Sequence, residues 1–443
     1  MLSNIKFFEE KNYIFLLLFF PLALLIGIAV AEVLATLSIF YYLLNSKNKI
    51  NELKDIKIIF LLFLSLYFAL NALIQINDSL RYSPLFFFRF VLFSMSTVFI
   101  FNLIDKKKTT SFKNKLLKII IFFVIIILID SVIQFVFGKN MFGYEIIGNR
   151  ISSFFKDELI LGSFLIRILP ILIYLIFFFN YDLKKNYLFL LFFFILYFFS
   201  IYISAGRSSF TMMLIFILLS IIFTKKLRKI FLHSLSYLIV IIIITSLFEL
   251  GKTNPSNRLF VKTFNQFTNQ IFVKKKLSPA GILEIDTESP KNKEEVLRNI
   301  KIFSFNHHGH IQLAYELYKK NKIFGIGPRG FRYYCKSVNF DPEIGVCSNH
   351  PHNYLIQILS ETGLIGTFLY FFAFLFVLFK ILKCLSLNIS SNKKDEFLIL
   401  SFGLIIYFLP FLPSGNFFNN WLSLLNFYLI GIYFFSYKRI FEL

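Results

Sequence analysis

Charge is scarce in this chain. Of 443 residues only 25 are Asp or Glu, and all charged residues together reach 16%. A soluble domain of this size would carry about a quarter charged residues, so the composition excludes an ordinary water-soluble fold. Cysteine is scarcer, with three residues, too few for a disulfide-stapled scaffold. No Asp-x-Asp pair occurs in the segments placed below on the outer side, which favours chemistry without a metal. No internal repeat is visible, and no pair of broken apolar segments stands at matching positions, which argues against a transporter.

What is present is apolar. The chain is 57% hydrophobic and 20% aromatic, with a mean hydropathy of +0.70. Apolar runs long enough to span a bilayer recur along it, so the expected fold is all-α, a polytopic helical membrane protein. The net charge of +22 does not point to nucleic acid, because the basic residues sit in short segments between apolar runs. Lys6, Lys11 and the run from Tyr13 to Ala31 imitate a cleavable signal. The run continues to Leu44, so a retained first helix is expected.

About twelve spans are expected. Two share residues 13–44, with a turn near Ala31-Glu32. The next are at 57–76, 84–104, 116–138, 159–180, 187–204, 208–224 and 230–250, and the last at 356–379, 396–412 and 420–437. The connections alternate in charge. One set holds Lys47 to Lys57, Lys106 to Lys118, Lys184-Lys185, Lys225 to Lys229, Lys380 to Lys394 and Lys438-Arg439. The other short connections carry only Arg81, Lys139, Arg150, Lys156 and Arg207. The basic set should face the cytoplasm, which puts the long loop from residue 251 on the outer, periplasmic side. The expected division is nine spans over 1–250, a catalytic loop over 251–355 and three spans over 356–443.

Five of the six histidines fall in that loop: His307, His308, His310, His350 and His352. Helical spacing is visible over 293–320 in two pieces, and again after the second histidine group. Asn353 suits a helix cap. The outer pair Cys335 and Cys347, with eleven residues between them, suits a disulfide in an oxidising compartment. A zinc site of both cysteines with His350 and His352 has looser spacing than zinc sites favour. Arg89, Arg167 and Arg207 lie in or beside apolar runs, where each must face an interior or an interface. An outer guanidinium matches a phosphate or diphosphate. A histidine can take a proton from an attacking hydroxyl. Together they suit transfer of a group from a lipid-linked phosphate ester.

His350-Pro351-His352-Asn353-Tyr354-Leu355, followed by Glu361-Thr362-Gly363-Leu364-Ile365-Gly366, resembles the signature of the O-antigen ligase and O-antigen polymerase superfamily. Phe324-Gly325-Ile326-Gly327 resembles the family's Gly-x-Gly turn, and Ser204-Ala205-Gly206-Arg207 its turn before a span. The segments Arg150 to Glu158 and Ser414 to Trp421 resemble further outer segments, the second that of ligase-type members. The resemblance implies a glycosyltransferase of the bacterial inner membrane. It would use glycans on undecaprenyl diphosphate, with no metal, no cofactor and no nucleic-acid partner. The acceptor would be a lipid A–core hydroxyl for a ligase, or a second lipid-linked glycan for a polymerase. His352 would be the acceptor-activating base, with His350 second, and Arg207 the diphosphate ligand. Arg150, Asn353 and Glu361 join the expected substrate-binding set. Many members carry an Arg ahead of a Trp at the start of the helix leading to the Gly-x-Gly turn. Here that place reads Asn306-His307-His308-Gly309-His310, so His308, His310, Arg329 and Arg332 are the candidate replacements.

Overall fold

The computed structural model describes residues 19–46, 49–74, 87–106, 110–179, 181–265, 274–277, 283–286, 305–337 and 348–442. The expected start of the first span, the helical piece from 293 and Cys347 lie outside them. Apart from loops and two isolated bridges between α6 and α7, the described chain is helical with one antiparallel hairpin in the long loop, β1 (Lys274–Leu277) and β2 (Leu283–Asp286).

The first helices are α1 (Phe20–Ile26), α2 (Ile28–Asn45), the short α3 (Lys49–Leu53), α4 (Ile56–Ile74), α5 (Phe88–Lys106) and α6 (Thr110–Phe137). After them come α7 (Leu161–Phe178), α8 (Tyr187–Ile203), α9 (Arg207–Phe223) and α10 (Arg228–Leu247). The long loop contributes α11 (Phe305–Lys320) and α12 (Gly330–Ser337). The chain closes with α13 (Tyr354–Ser386), α14 (Ser391–Tyr407) and α15 (Asn420–Phe441). Seven of these are long and apolar enough to cross a membrane: α2, α4, α5, α6, α7, α10 and α13. The apolar α8 and α9 are shorter, and α14 and α15 fall where the last two spans were expected.

One boundary differs from expectation. The turn inside 13–44 is not at Ala31-Glu32 but at Gly27, whose φ of 154° and ψ of 160° break the helix. Glu32 instead lies within α2 and pairs with Arg89 of α5 at 2.8 Å. An acid and a base embedded in apolar helices neutralise each other, which relieves the cost of either alone. Helix directions follow from the contacts. Glu32 meets Arg89 and Tyr42 meets Phe99, so α2 and α5 are parallel. Phe90 stacks on Phe427 and Phe101 meets Phe435, so α15 runs the same way. Phe20 packs on Tyr428 while the Leu24 carbonyl accepts from Trp421 Nε1, so α1 runs the other way. The alternation read from the lysines is therefore present at the start of the bundle.

Helix α7 is the shaft of the bundle. Every residue in it except Ser163 is buried. Its Arg167 is 2% exposed, donates to the Ser163 carbonyl at 3.1 Å and lies over the Tyr407 ring, so it faces the interior. Peripheral helices show the opposite pattern. Phe63, Leu66 and Leu70 of α4 stand about half exposed, a surface that fits lipid rather than water.

Four of the scarce acids, Asp55, Asp395, Glu396 and Glu442, are engaged at one end. Lys57 bonds Asp55 and Glu442, Arg439 bonds Glu396 at 2.9 Å, and Asp395 accepts from the backbone of Lys225 and Lys226. That last contact fixes the geometry of the other end. It sets the C-terminal end of α9 beside the N-terminal end of α14, so α9 and α14 are antiparallel neighbours. The start of α9, Arg207, therefore lies at the same end of the bundle as the residues that follow α14.

Candidate functional site

The histidine motif is anchored by its own asparagine. Asn353 caps α13, with Oδ1 accepting from Ile356 N at 3.0 Å. Its Nδ2 donates to the Pro410 carbonyl at 2.8 Å and the Leu412 carbonyl at 3.4 Å, just past α14. The His352 carbonyl accepts from Ser414 N at 2.8 Å. One turn along α13, Gln357 continues the seam. Its Nε2 donates to Asn416 Oδ1 and its Oε1 accepts from Phe417 N, both at 2.9 Å. The segment Ser414 to Trp421, singled out in the sequence, is thus the floor on which the motif rests.

Helix α13 is broken near its start. Gly363 has φ 65° and ψ −164°. The break leaves a backbone donor and an acceptor outside the helical ladder, and the segment from Lys322 to Ile326 pairs with both. Leu364 N bonds the Lys322 carbonyl, and Ile326 N bonds the Ser360 carbonyl at 3.0 Å. A Cβ on Gly363 would sit 2.2 Å from the Ile323 carbonyl oxygen, and one on Gly325 (φ 71°) would sit 2.5 Å from the Glu361 backbone. Only glycine permits both the conformation and the approach. Asn71 and Tyr67 of α4 hold the same junction through the Phe324 and Thr362 carbonyls, each at 2.5 Å. Gly363 is therefore a stitched break in the helix.

A small second core builds the loop. Ala314 and Leu317 of α11 pack with Ile326, Phe331 and Cys335. Cys335 is disulfide-bonded, while Cys384 is a free buried thiol. Glu361 is fully buried beneath this unit. Its Oε1 accepts from Phe331 N at the start of α12, and its Oε2 from Gln357 Nε2, both at 3.0 Å. A carboxylate at a helix N-terminus stabilises it, so Glu361 ties α12 to α13. This placement gives Glu361 and Asn353 structural work in positioning the motif.

The unit delivers a third histidine to the motif. The ring of His310 on α11 is buried, 5.3 Å from that of His352, and the His350 and His352 rings are 4.1 Å apart. His352 itself has φ 57°, an uncommon conformation for a residue with a side chain. Its Nε2 lies 3.0 Å from the Ser348 hydroxyl. His308 lies on α11 among residues whose side chains are not described. Arg332 is exposed, and Arg329 donates to the Phe418 carbonyl at 2.7 Å. Burial and the charge of Arg332 disfavour the Arg329 cation; Glu361 opposes this and Arg89 adds to it.

A second cationic cluster lies at the same end of the bundle. Arg207 Nε donates to the Arg258 carbonyl at 3.3 Å, and Arg258 Nε to the Ala205 carbonyl at 3.1 Å. Arg150 Nη2 donates to the Leu159 carbonyl at 2.8 Å. Burial, then the charge of Arg258, pushes the Arg150 guanidinium down to about 10. A guanidinium stays charged at neutral pH, so the shift measures burial and repulsion that a bound anion would relieve. The loop that carries Arg150 is itself pinned. Asp130 accepts from Met141 N, and Gln134 Oε1 from Ser152 N and Ser153 N.

The structure thus joins His350 and His352 with His310, and Arg207 with Arg150. Arg258 is the residue that sequence reasoning missed. It sits in a five-residue π-helical turn, Asn257–Val261, in a stretch with no periodic signal. Its pairing with Arg207 is a backbone exchange that no spacing reveals. Among the described residues no group of three or more His, Cys, Asp or Glu is arranged to hold a metal ion.

A bundle of apolar helices that gathers imidazoles and guanidiniums at one end defines a polytopic helical membrane protein. Residues 192–371 match the model of the O-antigen ligase family. The matched segment runs from α8 into α13 and contains Arg207, Arg258 and all five loop histidines, and it supports the O-antigen ligase and polymerase superfamily. No curated protein matches the chain.

Proposed function

We propose that the protein is an O-antigen ligase-like glycosyltransferase of the bacterial inner membrane, with the histidine end facing the periplasm. The donor is a glycan on undecaprenyl diphosphate, and the acceptor a hydroxyl of lipid A–core or a similar molecule. His352 takes the proton of the acceptor hydroxyl. The freed oxygen attacks the anomeric carbon and forms the new glycosidic bond with inversion. The bond from that carbon to the phosphate oxygen breaks, and the electron pair leaves with the diphosphate. Arg207, Arg258 and Arg150 balance the charge that develops there, the kind of preorganised stabilisation that lowers such barriers most.

The observation that carries this reading is that the His310–His350–His352 cluster and the Arg150–Arg207–Arg258 cluster lie at the same end of the bundle. The Ser348 hydroxyl on His352 Nε2 occupies the hydrogen-bonding position that an acceptor hydroxyl would take. The basic opposite end supports the orientation. The segment from Ser414 to Trp421 favours ligase over polymerase.

The test is His352→Ala, with membrane insertion checked separately. Surface-glycan transfer should fall by about a hundredfold or more, the range of general-base catalysis. Unchanged glycan banding with normal insertion would sink the reading. In a deletion strain, loss of all polymer from the lipid anchor indicates a ligase, and a residual single repeat indicates a polymerase.

A further inference from the structure

A short helix opens the long loop. It spans residues 255–265, with the π-helical turn Asn257–Val261 inside it. Asn254 caps it, its Oδ1 accepting from Asn257 N at 2.9 Å, and Pro255 fills the first helical position, where no amide is needed. Arg258 faces the bundle and donates to the Ala205 carbonyl. Phe260, Val261 and Phe264 stand 46%, 50% and 67% exposed, and at positions i, i+1 and i+4 they share one face. We propose that this helix lies in the lipid–water interface at the histidine end, with those three side chains among the acyl chains, and that this seat holds Arg258 in the cationic cluster. The role given to that cluster rests on the transferase reading above.

Continuity with the lipid-facing surface is the first argument. Helix α10 is long and apolar enough to cross a membrane. Its Ile243, Ile244 and Leu247 are exposed, and so are Phe248 and Leu250 beyond its end. Ser256 ties the short helix to this point, with its Oγ 2.6 Å from that of Ser246 on α10 and 2.7 Å from the Tyr202 hydroxyl on α8. Phe260 reaches Phe210 of α9, the neighbour of α10, with ring centroids 5.8 Å apart. Leu214 and Leu218 of α9 carry the apolar exposure onward. The three side chains thus prolong an apolar surface that α9 and α10 share.

Depth and charge are the second. Phe210 lies near the start of α9, roughly 4.5 Å along the axis from Arg207. Phe260 packs at that level, close to the depth of about 5–10 Å to which an interfacial helix buries its apolar face. Lys262 is exposed and projects from the other side of the short helix, where a lipid headgroup phosphate would meet it. Two phenyl rings and an isopropyl group standing exposed together favour acyl chains over water.

The link to Arg258 is the third. Arg258 and Arg150 repel each other, and the charge of Arg258 helps to push the Arg150 guanidinium down. Arg258 is held against that repulsion by the Ala205 carbonyl and by the helix that carries it. From Phe260 to Phe264 every residue of that helix is exposed, so the surrounding medium bears on where it settles. Acyl chains taking up Phe260 and Phe264 would keep it down on α9, with Arg258 turned to the bundle.

The test uses the full chain with Cys384→Ser in nanodiscs, carrying Phe264→Cys or Lys262→Cys for a nitrobenzoxadiazole label. The quenchers are a phosphatidylcholine with a nitroxide high on its acyl chain, and iodide in the water. The label at the Phe264 position should be quenched by the lipid and spared by iodide, and the label at the Lys262 position should show the reverse order. Phe260→Ser with Phe264→Ser should weaken undecaprenyl diphosphate binding about tenfold, as loss of the Arg258 contact would. The pair should add little in an Arg258→Ala background. Phe260→Leu with Phe264→Leu should keep binding, and Phe264→Ser alone serves if the serine pair blocks folding. Iodide reaching the Phe264 position as readily as the Lys262 position overturns the proposal. So does protection of the Phe264 position from both quenchers, which would put another part of the chain over this face. Unchanged binding in the serine pair, with Arg258→Ala impaired, overturns the link to Arg258. If Arg258→Ala itself leaves binding intact, the donor reading fails, and the quenching result still judges the seat.

Discussion

The imidazole of His310 lies 5.3 Å from that of His352, although one belongs to a loop helix and the other to the entry of a span. Buried beside Phe331, His310 reaches the motif only because α11 packs on α13. We predict that His310→Ala lowers transfer about tenfold to a hundredfold, the scale set by a displaced catalytic group. His310→Gln, which restores volume and polarity, should recover part of it. Donor binding should hold in both, so rates and lipid-diphosphate binding measured side by side check the assignment. Equal loss of binding and rate would instead make His310 a donor ligand.

Arg258 should matter as much as Arg207. Each donates to the backbone beside the other, and their loss should weaken undecaprenyl diphosphate binding by about tenfold or more per guanidinium. The double variant should lose less than the sum of the singles, because the two act as one unit. Binding titrations of Arg258→Ala, Arg207→Ala and the pair check this.

Gly363→Ala should be costly. The new methyl would meet the Ile323 carbonyl in a conformation that L-residues avoid. The stitched junction should part, with a loss of more than about 1 kcal/mol of stability and of transfer. Gly143→Ala is the control. Its φ of 83° imposes similar strain, but nothing stands within 4 Å, so its thermal shift should be smaller.

Cys335→Ser removes a disulfide from the small loop core. Such a loss typically costs about 2–5 kcal/mol, here confined to α11 and α12. Limited proteolysis should cut the loop faster while the bundle stays intact, and a reducing agent should have the same effect on the unaltered protein. Cys384→Ser should leave the loop unchanged, since its thiol is free and lies near the opposite end of the bundle.

The positions of most spans were legible because lipid leaves one solution. Backbone groups must be satisfied within each apolar run, so every run becomes a helix. The first turn was misplaced for the same reason. Glu32 reads as a polar break in an apolar run, whereas Gly27 reads as part of the run. Glu32 stays helical because Arg89 neutralises it, and that pairing crosses between helices. The His-Pro-His-Asn element was legible as a cluster, and Asn353 as a cap, because capping is local.

The sequence by itself determined a helical membrane bundle, its alternating charge and the loop that carries the histidines. These follow from composition and local pattern. Only the tertiary structure decided which residues meet: His310 with His352, Arg258 with Arg207, and Glu361 with the start of α12. Each contact joins segments far apart in the chain, through backbone carbonyls and packed rings that leave no periodic trace. Spacing carries information along a helix or a turn, and it is silent about the surfaces that helices choose to share.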